Sequence, residues 1–433
     1  MARLNLVPPP SETIAGTGAD LRAGRRSCGD VLEACLARVD RWEASVGAWV
    51  LVDRDGARAR AAELDAGRWR GPLHGVPVGI KDIIDVAGWP TAAGARRWAD
   101  RVAAEDAEVV ARLRAAGAVI LGKTVTTAYA SFDPPATANP WDLGRTPGGS
   151  SSGSAAAVAC GMCLGALGSQ TGGSITRPAS YCGVAGLKPT AGRISVRGVL
   201  PLAPSLDHVG PIARTVADLE LLWTALADPD GRGVTPGSDA GPSSPPRLGR
   251  LRGLFDARAD AAVREEFPRV LALLEAAGAV VTEPPLPSSF ADVLRRHRVV
   301  MAAEAAALHE HRLAAHPDDY PPKIRGLIEE GMAISAPEYL RCREHQGRLS
   351  REILACFVGV DALIVPATTD VAPDRSTTGD PALNSPWSYT GLPVVSLPTG
   401  LSPEGLPLAI QLVGRPWTES RLLATARWCE DAV

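Results

Sequence analysis

The chain has 433 residues, of which 45% are hydrophobic and 21% charged, and its formal net charge is −3. This composition supplies a substantial core and gives no electrostatic basis for binding nucleic acid or an anionic membrane. The N-terminal stretch 1–10 lacks the apolar run of a secretory signal, and no stretch of about 18 apolar residues follows it. We therefore expect a cytoplasmic protein, monomeric or homodimeric, without nucleic-acid or membrane partners.

The N-terminal third alternates predicted helices and strands. Apolar residues at three- and four-residue intervals predict a helix over 30–42, followed by a strand over 46–52. Further helices are predicted over 55–67 and 106–116. The apolar residues 118–121 predict a buried strand, and the alternation as a whole predicts an α/β protein.

Lys81 stands out among the basic residues. The sequence contains 45 lysines and arginines together, and its four lysines are Lys81, Lys123, Lys188 and Lys323. Arginine serves wherever a fixed positive charge suffices, so a lysine in this background indicates a side chain that must be able to lose its proton. Apolar residues flank Lys81 within the segment 75–82, which predicts a partly desolvated base.

Residues 117–124 match the phosphate-loop pattern G-x-x-x-x-G-K-[ST]. In that motif a strand precedes the first glycine and a helix follows the Lys-Thr pair. Here a predicted helix ends at Gly117, and the four middle residues are themselves the predicted strand. We therefore assign no phosphate site to Lys123.

Two clusters rich in glycine and serine, Thr146–Ser154 and Thr171–Ser174, enclose the apolar segment 155–167. This segment predicts a buried helix running into a strand, so the clusters are not parts of a solvated linker. Glycine lets the backbone approach a ligand closely, and serine supplies hydroxyl groups. The second cluster offers several backbone N–H groups in a turn, an arrangement that holds an anionic tetrahedral intermediate.

The segment 149–153 also fits the nucleophile elbow G-x-S-x-G, centred on Ser151. That motif needs a strand leading into the serine and a histidine near the C-terminus. Residues 139–147 are turn-like, however, and the last histidine is His345. The sequence therefore disfavours a Ser-His-Asp triad.

With these motifs the chain resembles the amidase signature family. The similarity is carried by Gly148–Ser154, Thr171–Ser174, Lys81 in its Gly-Ile-Lys-Asp setting, and the segments 182–190, 205–212 and 391–398. The resemblance implies a single amidase domain over 1–433, with a catalytic core over 60–225 and a helical substrate-covering region at about 290–350. It also implies an α/β fold with one large mixed β-sheet covered by helices on both faces.

The resemblance further implies a Ser–Ser–Lys triad. Ser174 occupies the position of the nucleophile, Ser150 that of the bridging serine, which a cis peptide usually precedes, and Lys81 that of the terminal base. The implied activity is hydrolysis of C–N bonds in amides or related carbamates, without a metal or organic cofactor. The implied oxyanion donors are the backbone N–H groups around Thr171, Gly172 and Gly173.

Substrate recognition is less defined by the sequence. Arg177 is a candidate to bind a substrate carboxylate or carbonyl, and the alternative is an arginine that fixes neighbouring loops. Ser151 is also a predicted substrate contact. The chain departs from the family at Gln170, where aspartate is frequent, and at Ser152, where glycine is frequent. The alternative function is that of the glutamine-hydrolysing A-type subunit of a tRNA-dependent amidotransferase, which the shorter chain and the lack of a basic patch disfavour.

The rest of the chain continues the alternation. Helices are predicted over 216–226, 263–277 and 419–428, and loops over 228–246, at the surface, and over 384–390. Strands are predicted over 248–254, 279–282, 362–366, 391–398 and 408–413. His309, His311 and His316 lie in the helical region. The first two are two residues apart and so do not share a helix face, and we predict no metal site there.

Overall fold

The computed structural model describes residues 12–95, 100–227 and 245–433. The predicted surface loop at 228–246 falls almost entirely outside the described residues. The strands in these ranges are β1 (Trp49–Val52), β2 (Pro77–Lys81), β3 (Val119–Thr124), β4 (Gly165–Gln170), β5 (Ala185–Lys188), β6 (His208–Ala213), β7 (Arg247–Arg250), β8 (Val280–Thr282), β9 (Ala362–Pro366), β10 (Val394–Leu401) and β11 (Pro407–Val413).

The α-helices of the same ranges alternate with these strands and extend past them at both ends. They are α1 (Ile14–Arg22), α2 (Cys28–Val46), α3 (Arg54–Asp65), α4 (Glu108–Ala115), α5 (Ser152–Ala159), α6 (Thr176–Tyr181), α7 (Val216–Leu226), α8 (Leu254–Arg258), α9 (Ala261–Ala276), α10 (Val293–Ala315), α11 (Pro322–Met332), α12 (Ala336–Glu352), α13 (Ser385–Thr390) and α14 (Glu419–Ala432). None of these described helices combines the length and apolarity needed to cross a membrane.

All of these strands join one mixed sheet in the order β1-β3-β2-β4-β6-β5-β10-β11-β9-β7-β8. The pairs β2/β3, β2/β4, β7/β8 and β7/β9 are parallel, and the remaining pairs are antiparallel. The predicted fold, a single large mixed sheet covered by helices on both faces, is confirmed.

Two of the predicted strand boundaries are shifted, the first of them by a helix cap. Helix α2 begins with a capping box between Ser27 and Asp30 and continues to Val46, where Gly47 ends it with a φ of 62°. The strand predicted over 46–52 therefore starts only at Trp49, because the last helical turn occupies its first position. The strand predicted over 248–254 is likewise shorter, since β7 ends at Arg250 and α8 begins at Leu254.

The prediction of a loop over 384–390 is wrong. Residues 385–390 form the short helix α13, which has Pro386 in its first turn and ends at Gly391 with a φ of 71°. All six residues of this helix are buried. A helix buried on every side shows no apolar periodicity, so the amphipathic pattern used for the other helices is absent here.

The centre of the sheet positions the two glycine- and serine-rich clusters. Every residue of β2 and of β4 is buried, and the two strands run parallel with Val78 opposite Gly165 and Ile80 opposite Leu167. The carboxyl ends of parallel strands meet at the same edge of a sheet. Lys81, the last residue of β2, therefore lies beside the end of β4, where the chain enters Thr171–Ser174.

Candidate active site

Lys81 is completely buried, and hydroxyl groups surround its amine. Its Nζ lies 2.7 Å from Ser150 Oγ, 2.8 Å from Ser169 Oγ and 3.4 Å from the Ser169 carbonyl oxygen. Burial lowers the pKa of Lys81 well below its usual value, and the negative charge of Asp207 offsets part of that fall. A buried amine with a lowered pKa and a serine partner has the properties of a general base.

The loop before α5 presents Ser150 to this amine. The Gly149–Ser150 peptide is cis, as the resemblance implied, and Gly148 has a φ of 80°. A Cβ at Gly148 would lie 2.9 Å from the backbone of Pro178, so both conformation and space require glycine. Ser152, one of the departures from the family, donates from its hydroxyl to the Gly148 carbonyl at 2.6 Å and so stabilises the loop.

Ser174 lies in the turn between β4 and α6 and is almost closed off from solvent, with 8% of the residue exposed. The N–H of Ser151 donates to the Ser174 carbonyl at 3.2 Å, which brings the two clusters into direct contact. Gln170 supports the same turn, because its Oε1 accepts from the N–H groups of Ile175 (2.9 Å) and Thr176 (3.0 Å). An amide oxygen at position 170 thus fulfils the acceptor role that a carboxylate would have.

The segment Thr171–Gly173, which we call the oxyanion loop, follows β4 directly. Thr171 Oγ1 donates to Asp207 Oδ1 at 2.5 Å, and burial raises the pKa of Asp207 to about 6. A Cβ at Gly173 would lie 2.8 Å from Asn384 Oδ1, so this position admits only glycine without a shift of Asn384. The loop is therefore held at Thr171 by the bond to Asp207 and at Gly173 by close packing against Asn384.

Two predicted substrate contacts lie in buried surroundings. Arg177 is 1% exposed, and its Nη2 donates to the Gly149 carbonyl at 2.8 Å and to Thr378 Oγ1 at 3.3 Å. Its Nε and Nη1 have no hydrogen-bond partner among the described residues. This placement supports the alternative role, an arginine that fixes the loop before Ser150.

Ser151 is also buried, which argues against a substrate contact. Its hydroxyl donates to the Ser169 carbonyl and accepts from the Ser169 N–H, both at 3.2 Å. These bonds tie the start of α5 to β4. Ser151 therefore holds the scaffold behind the two catalytic candidates, and the elbow interpretation centred on it gains no support.

Several residues at the site were not identified from the sequence. Ser169 carries no signal beyond being a polar residue at the end of a strand. Asp207 lies within the segment 205–212 that supports the family resemblance, but the segment gave no indication of its contact with Thr171. Of the three histidines in the helical region for which we predict no metal site, His309 lies away from the candidate active site. Its Nδ1 is 2.9 Å from the Tyr320 hydroxyl.

A pocket of about 230 Å³ borders the oxyanion loop. A Cβ at Gly172 would lie 3.3 Å from Ser385 Oγ and 3.6 Å from His297 Cε1, two residues of the pocket wall. The lining residues are Phe132, Arg258, Leu294, His297, Arg298, Met301, Asp380, Pro381, Ala382 and Ser385. Helix α10 supplies four of them, so part of the predicted substrate-covering region lies against the site.

The structure thus brings Lys81 beside Ser150, and Ser174 lies in a glycine-rich turn that contacts the loop carrying Ser150. The amidase family model matches residues 30–423, and the chain belongs to this family, the amidase signature enzymes. Membership supports a general amidohydrolase activity.

Individual relatives cover nearly the whole chain. It is 36% identical to the A-type subunit of the glutamyl-tRNA(Gln) amidotransferase from Symbiobacterium thermophilum, over 95% of this chain and 94% of the relative. It is also 36% identical to the putative amidase AmiD of Mycobacterium bovis, over 94% and 91%. A solved structure from a vestigial protein complex, described as revealing the origins of an s-triazine catabolic enzyme, has a TM-score of 0.88 at 33% identity and covers 97% of this chain and 98% of that one.

Proposed function

We propose that this protein hydrolyses the C–N bond of linear amides, and of related carbamates, through an acyl-enzyme formed on Ser174. The observation that carries the proposal is the 2.7 Å contact between the buried Lys81 Nζ and Ser150 Oγ. Burial lowers the pKa of Lys81, which favours the neutral amine that can accept a proton through Ser150. In this scheme Ser174 is the nucleophile.

In the first half-reaction the Ser174 oxygen attacks the carbonyl carbon. Its proton passes to Ser150 while the Ser150 proton passes to Lys81. The negative charge on the former carbonyl oxygen is stabilised by N–H groups of the oxyanion loop. The C–N bond then breaks, Ser150 protonates the leaving amine, and Lys81 returns a proton to Ser150. The products are the free amine and the acyl-enzyme.

In the second half-reaction a water molecule attacks the acyl-enzyme. The relay accepts the proton of the water, the bond between the acyl carbon and the Ser174 oxygen breaks, and Ser174 regains its proton. The product is a carboxylic acid, or a carbonic acid monoester when the substrate is a carbamate, since the amine has already left with the C–N bond. No step needs a metal or an organic cofactor.

The pocket beside the oxyanion loop favours a substrate with an uncharged apolar substituent. Phe132, Leu294 and Met301 provide apolar surface. The charged residues of the wall have partners: Arg298 binds Glu330 at 2.7 Å, and Arg258 lies 3.5 Å from Asp380. Since these charges are balanced and Arg177 is buried, we do not assign an acidic acyl group to the substrate.

The test is hydrolysis of p-nitroanilides, N-(p-nitrophenyl) carbamates and primary amides, each of which releases an amine or ammonia when the C–N bond breaks, by wild-type protein and by Ser174→Ala, at several pH values. Ser350→Ala is a control, because Ser350 donates to the carbonyls of Gln346 and Thr390 away from Lys81. We expect activity in wild type and in the control, and its loss in Ser174→Ala. Full activity in Ser174→Ala would contradict the nucleophile assignment.

A partner-dependent glutaminase is the second candidate, favoured by the identity to A-type amidotransferase subunits. It predicts that the purified chain alone hydrolyses neither amides nor glutamine, and that activity appears when the other components of such a complex are added. Hydrolysis of simple amides by the isolated chain would favour the autonomous enzyme.

A further inference from the structure

Two side chains that are remote in sequence form hydrogen bonds with carbonyl oxygens of the oxyanion loop. His297, on α10, places Nε2 at 2.9 Å from the Thr171 carbonyl oxygen. Ser388, on α13, donates from its hydroxyl to the Gly172 carbonyl at 3.0 Å. With the bond from Thr171 to Asp207, which directly precedes β6, three separate parts of the chain contact the loop.

The planarity of the peptide unit links these bonds to the opposite side of the loop. In a trans peptide the C=O of one residue and the N–H of the next point in opposite directions. A partner on the Thr171 carbonyl therefore fixes the direction of the Gly172 N–H, and a partner on the Gly172 carbonyl fixes that of the Gly173 N–H. Without such partners, glycine peptides turn easily. Oxyanion donors are effective when their orientation is set before the reaction.

The direction of the hydrogen bond between His297 and Thr171 follows from the groups that form it. The Thr171 carbonyl only accepts, so His297 Nε2 must carry the hydrogen. Burial lowers the pKa of His297 to about 4, which keeps the ring neutral near neutral pH. The ring of Tyr389 on α13 also packs edge-on against His297 at 6.4 Å between centroids, so α10 and α13 stabilise each other at this point.

Gln170 completes the arrangement on the Ser388 side. Its Nε2 donates to Ser388 Oγ at 3.3 Å, while its Oε1 accepts from the N–H groups of Ile175 and Thr176. The Ser388 hydroxyl is thereby left to donate to Gly172. A carboxylate at position 170 has no hydrogen to give, and it would compete with the Gly172 carbonyl for the Ser388 hydroxyl.

We propose that His297 and Ser388, with Gln170 behind Ser388, are positioning residues that orient the Gly172 and Gly173 N–H groups toward the developing oxyanion. The inference rests on the proposed acyl-enzyme mechanism at Ser174. His297 also forms part of the pocket wall, so a substrate group that fills the pocket packs against the ring that holds the loop.

The deciding variant is Ser388→Ala, compared with Ser350→Ala, which also removes a serine hydroxyl that bonds a carbonyl of α13. The readouts are kcat, KM, the melting temperature and the inhibition constant of phenylboronic acid. Boron forms a bond to the Ser174 oxygen, whose proton passes to the relay, and the product is a tetrahedral anion that mimics the intermediate.

We expect Ser388→Ala to lower kcat about tenfold, less than the ~10²–10³-fold loss that follows removal of a direct oxyanion donor. KM should stay within about twofold, and phenylboronic acid should bind about tenfold more weakly, because only the tetrahedral species needs the oriented N–H groups. Ser350→Ala should leave both values near those of wild type.

Two further variants address the other contacts. His297→Phe removes the donor to Thr171, and His297→Gln retains one, so kcat should fall in the first and recover in part in the second. Gln170→Glu should resemble Ser388→Ala. If His297→Phe does not fold, the Ser388→Ala result decides alone.

A Ser388→Ala enzyme with the kcat and boronate affinity of Ser350→Ala would overturn the proposal. Failure of the underlying mechanism has a different signature, since wild type itself would then show no activity that depends on Ser174.

Discussion

Lys81 and Lys123 lie on the neighbouring strands β2 and β3, and both are buried. Lys123 Nζ lies 2.8 Å from Asp82 Oδ1 and also binds the Pro90 carbonyl and the Thr91 hydroxyl. Lys81 binds serine hydroxyls instead. Burial lowers the pKa of both lysines, but Asp82 counteracts the fall at Lys123 far more directly than Asp207 does at Lys81.

The difference indicates that the partner, more than the depth of burial, decides whether a buried lysine is suited to act as a base or forms half of an ion pair. A carboxylate in contact stabilises the charged amine, whereas hydroxyl groups leave the cost of desolvation largely uncompensated. Asp82 directly follows Lys81 and continues the pairing with β3 through a bond from its N–H to the Thr124 carbonyl. Successive side chains of an extended segment point to opposite faces, so this carboxylate turns to Lys123 and not to Lys81.

The largest expected effect comes from removing the base. Lys81→Met should lower kcat by about 10²–10⁴-fold, the usual contribution of a general base. Since the methionine has no amine to desolvate, the melting temperature should not fall. The matched control is Lys323→Met, because Lys323 is exposed and its amine bonds, among the described residues, only the Ser376 carbonyl. Activity in Lys81→Met equal to that of the control would refute the relay.

Removing the other lysine should affect stability instead. Lys123→Met leaves Asp82 buried without its partner, and breaking a buried pair costs about 3–5 kcal/mol in the free energy of unfolding. Urea denaturation measures this loss, and Lys123→Met/Asp82→Asn should recover part of it. The kcat of the folded fraction should stay close to that of wild type. A stable but inactive Lys123→Met would contradict the division of roles.

A carboxylate placed beside Lys81 should form an ion pair with its amine, as Asp82 does with Lys123. Ser169→Asp brings an opposite charge to the amine, which raises a pKa by about 1–3 units and leaves about 10–10³-fold less neutral Lys81 at neutral pH. The acid limb of the kcat–pH profile should therefore move to higher pH, and activity should return as the pH rises. Ser169→Asn, of the same size but uncharged, should leave the limb in place.

The smallest effect concerns a third buried lysine. Burial lowers the pKa of Lys188 to about 7. Between about pH 7 and pH 10.5 the unfolded chain binds a proton at this residue that the folded chain lacks, so stability rises with pH in that window, by about 1.4 kcal/mol per pH unit. Lys188→Met should reduce this slope of unfolding free energy against pH. An unchanged slope would show that Lys188 stays charged when folded.

Much of the fold was predictable because most elements carry local signals. Apolar periodicity located helices such as α2 and α7, and continuous apolar runs located strands such as β3 and β9. The errors arose where the local pattern is absent, as in α13, or where a cap decides a boundary, as at Gly47. The sheet order could not be derived residue by residue, because it joins strands far apart in the chain.

The sequence by itself determined which residue types were available for the chemistry. The apolar flanks of Lys81 predicted a buried amine, and the two glycine- and serine-rich clusters predicted close backbone contact. These are local properties, set by the side chains within a few positions. The family resemblance then assigned roles to Ser150 and Ser174.

Only the tertiary structure decided which groups meet. The contact of His297 with Thr171 spans 126 residues and that of Ser388 with Gly172 spans 216. Arg177 bonds the Gly149 carbonyl and Asp82 pairs with Lys123, and the local sequence does not identify either partner. Such partners are fixed when separate elements pack into one core, because a buried polar group must find its hydrogen bond wherever the fold provides one.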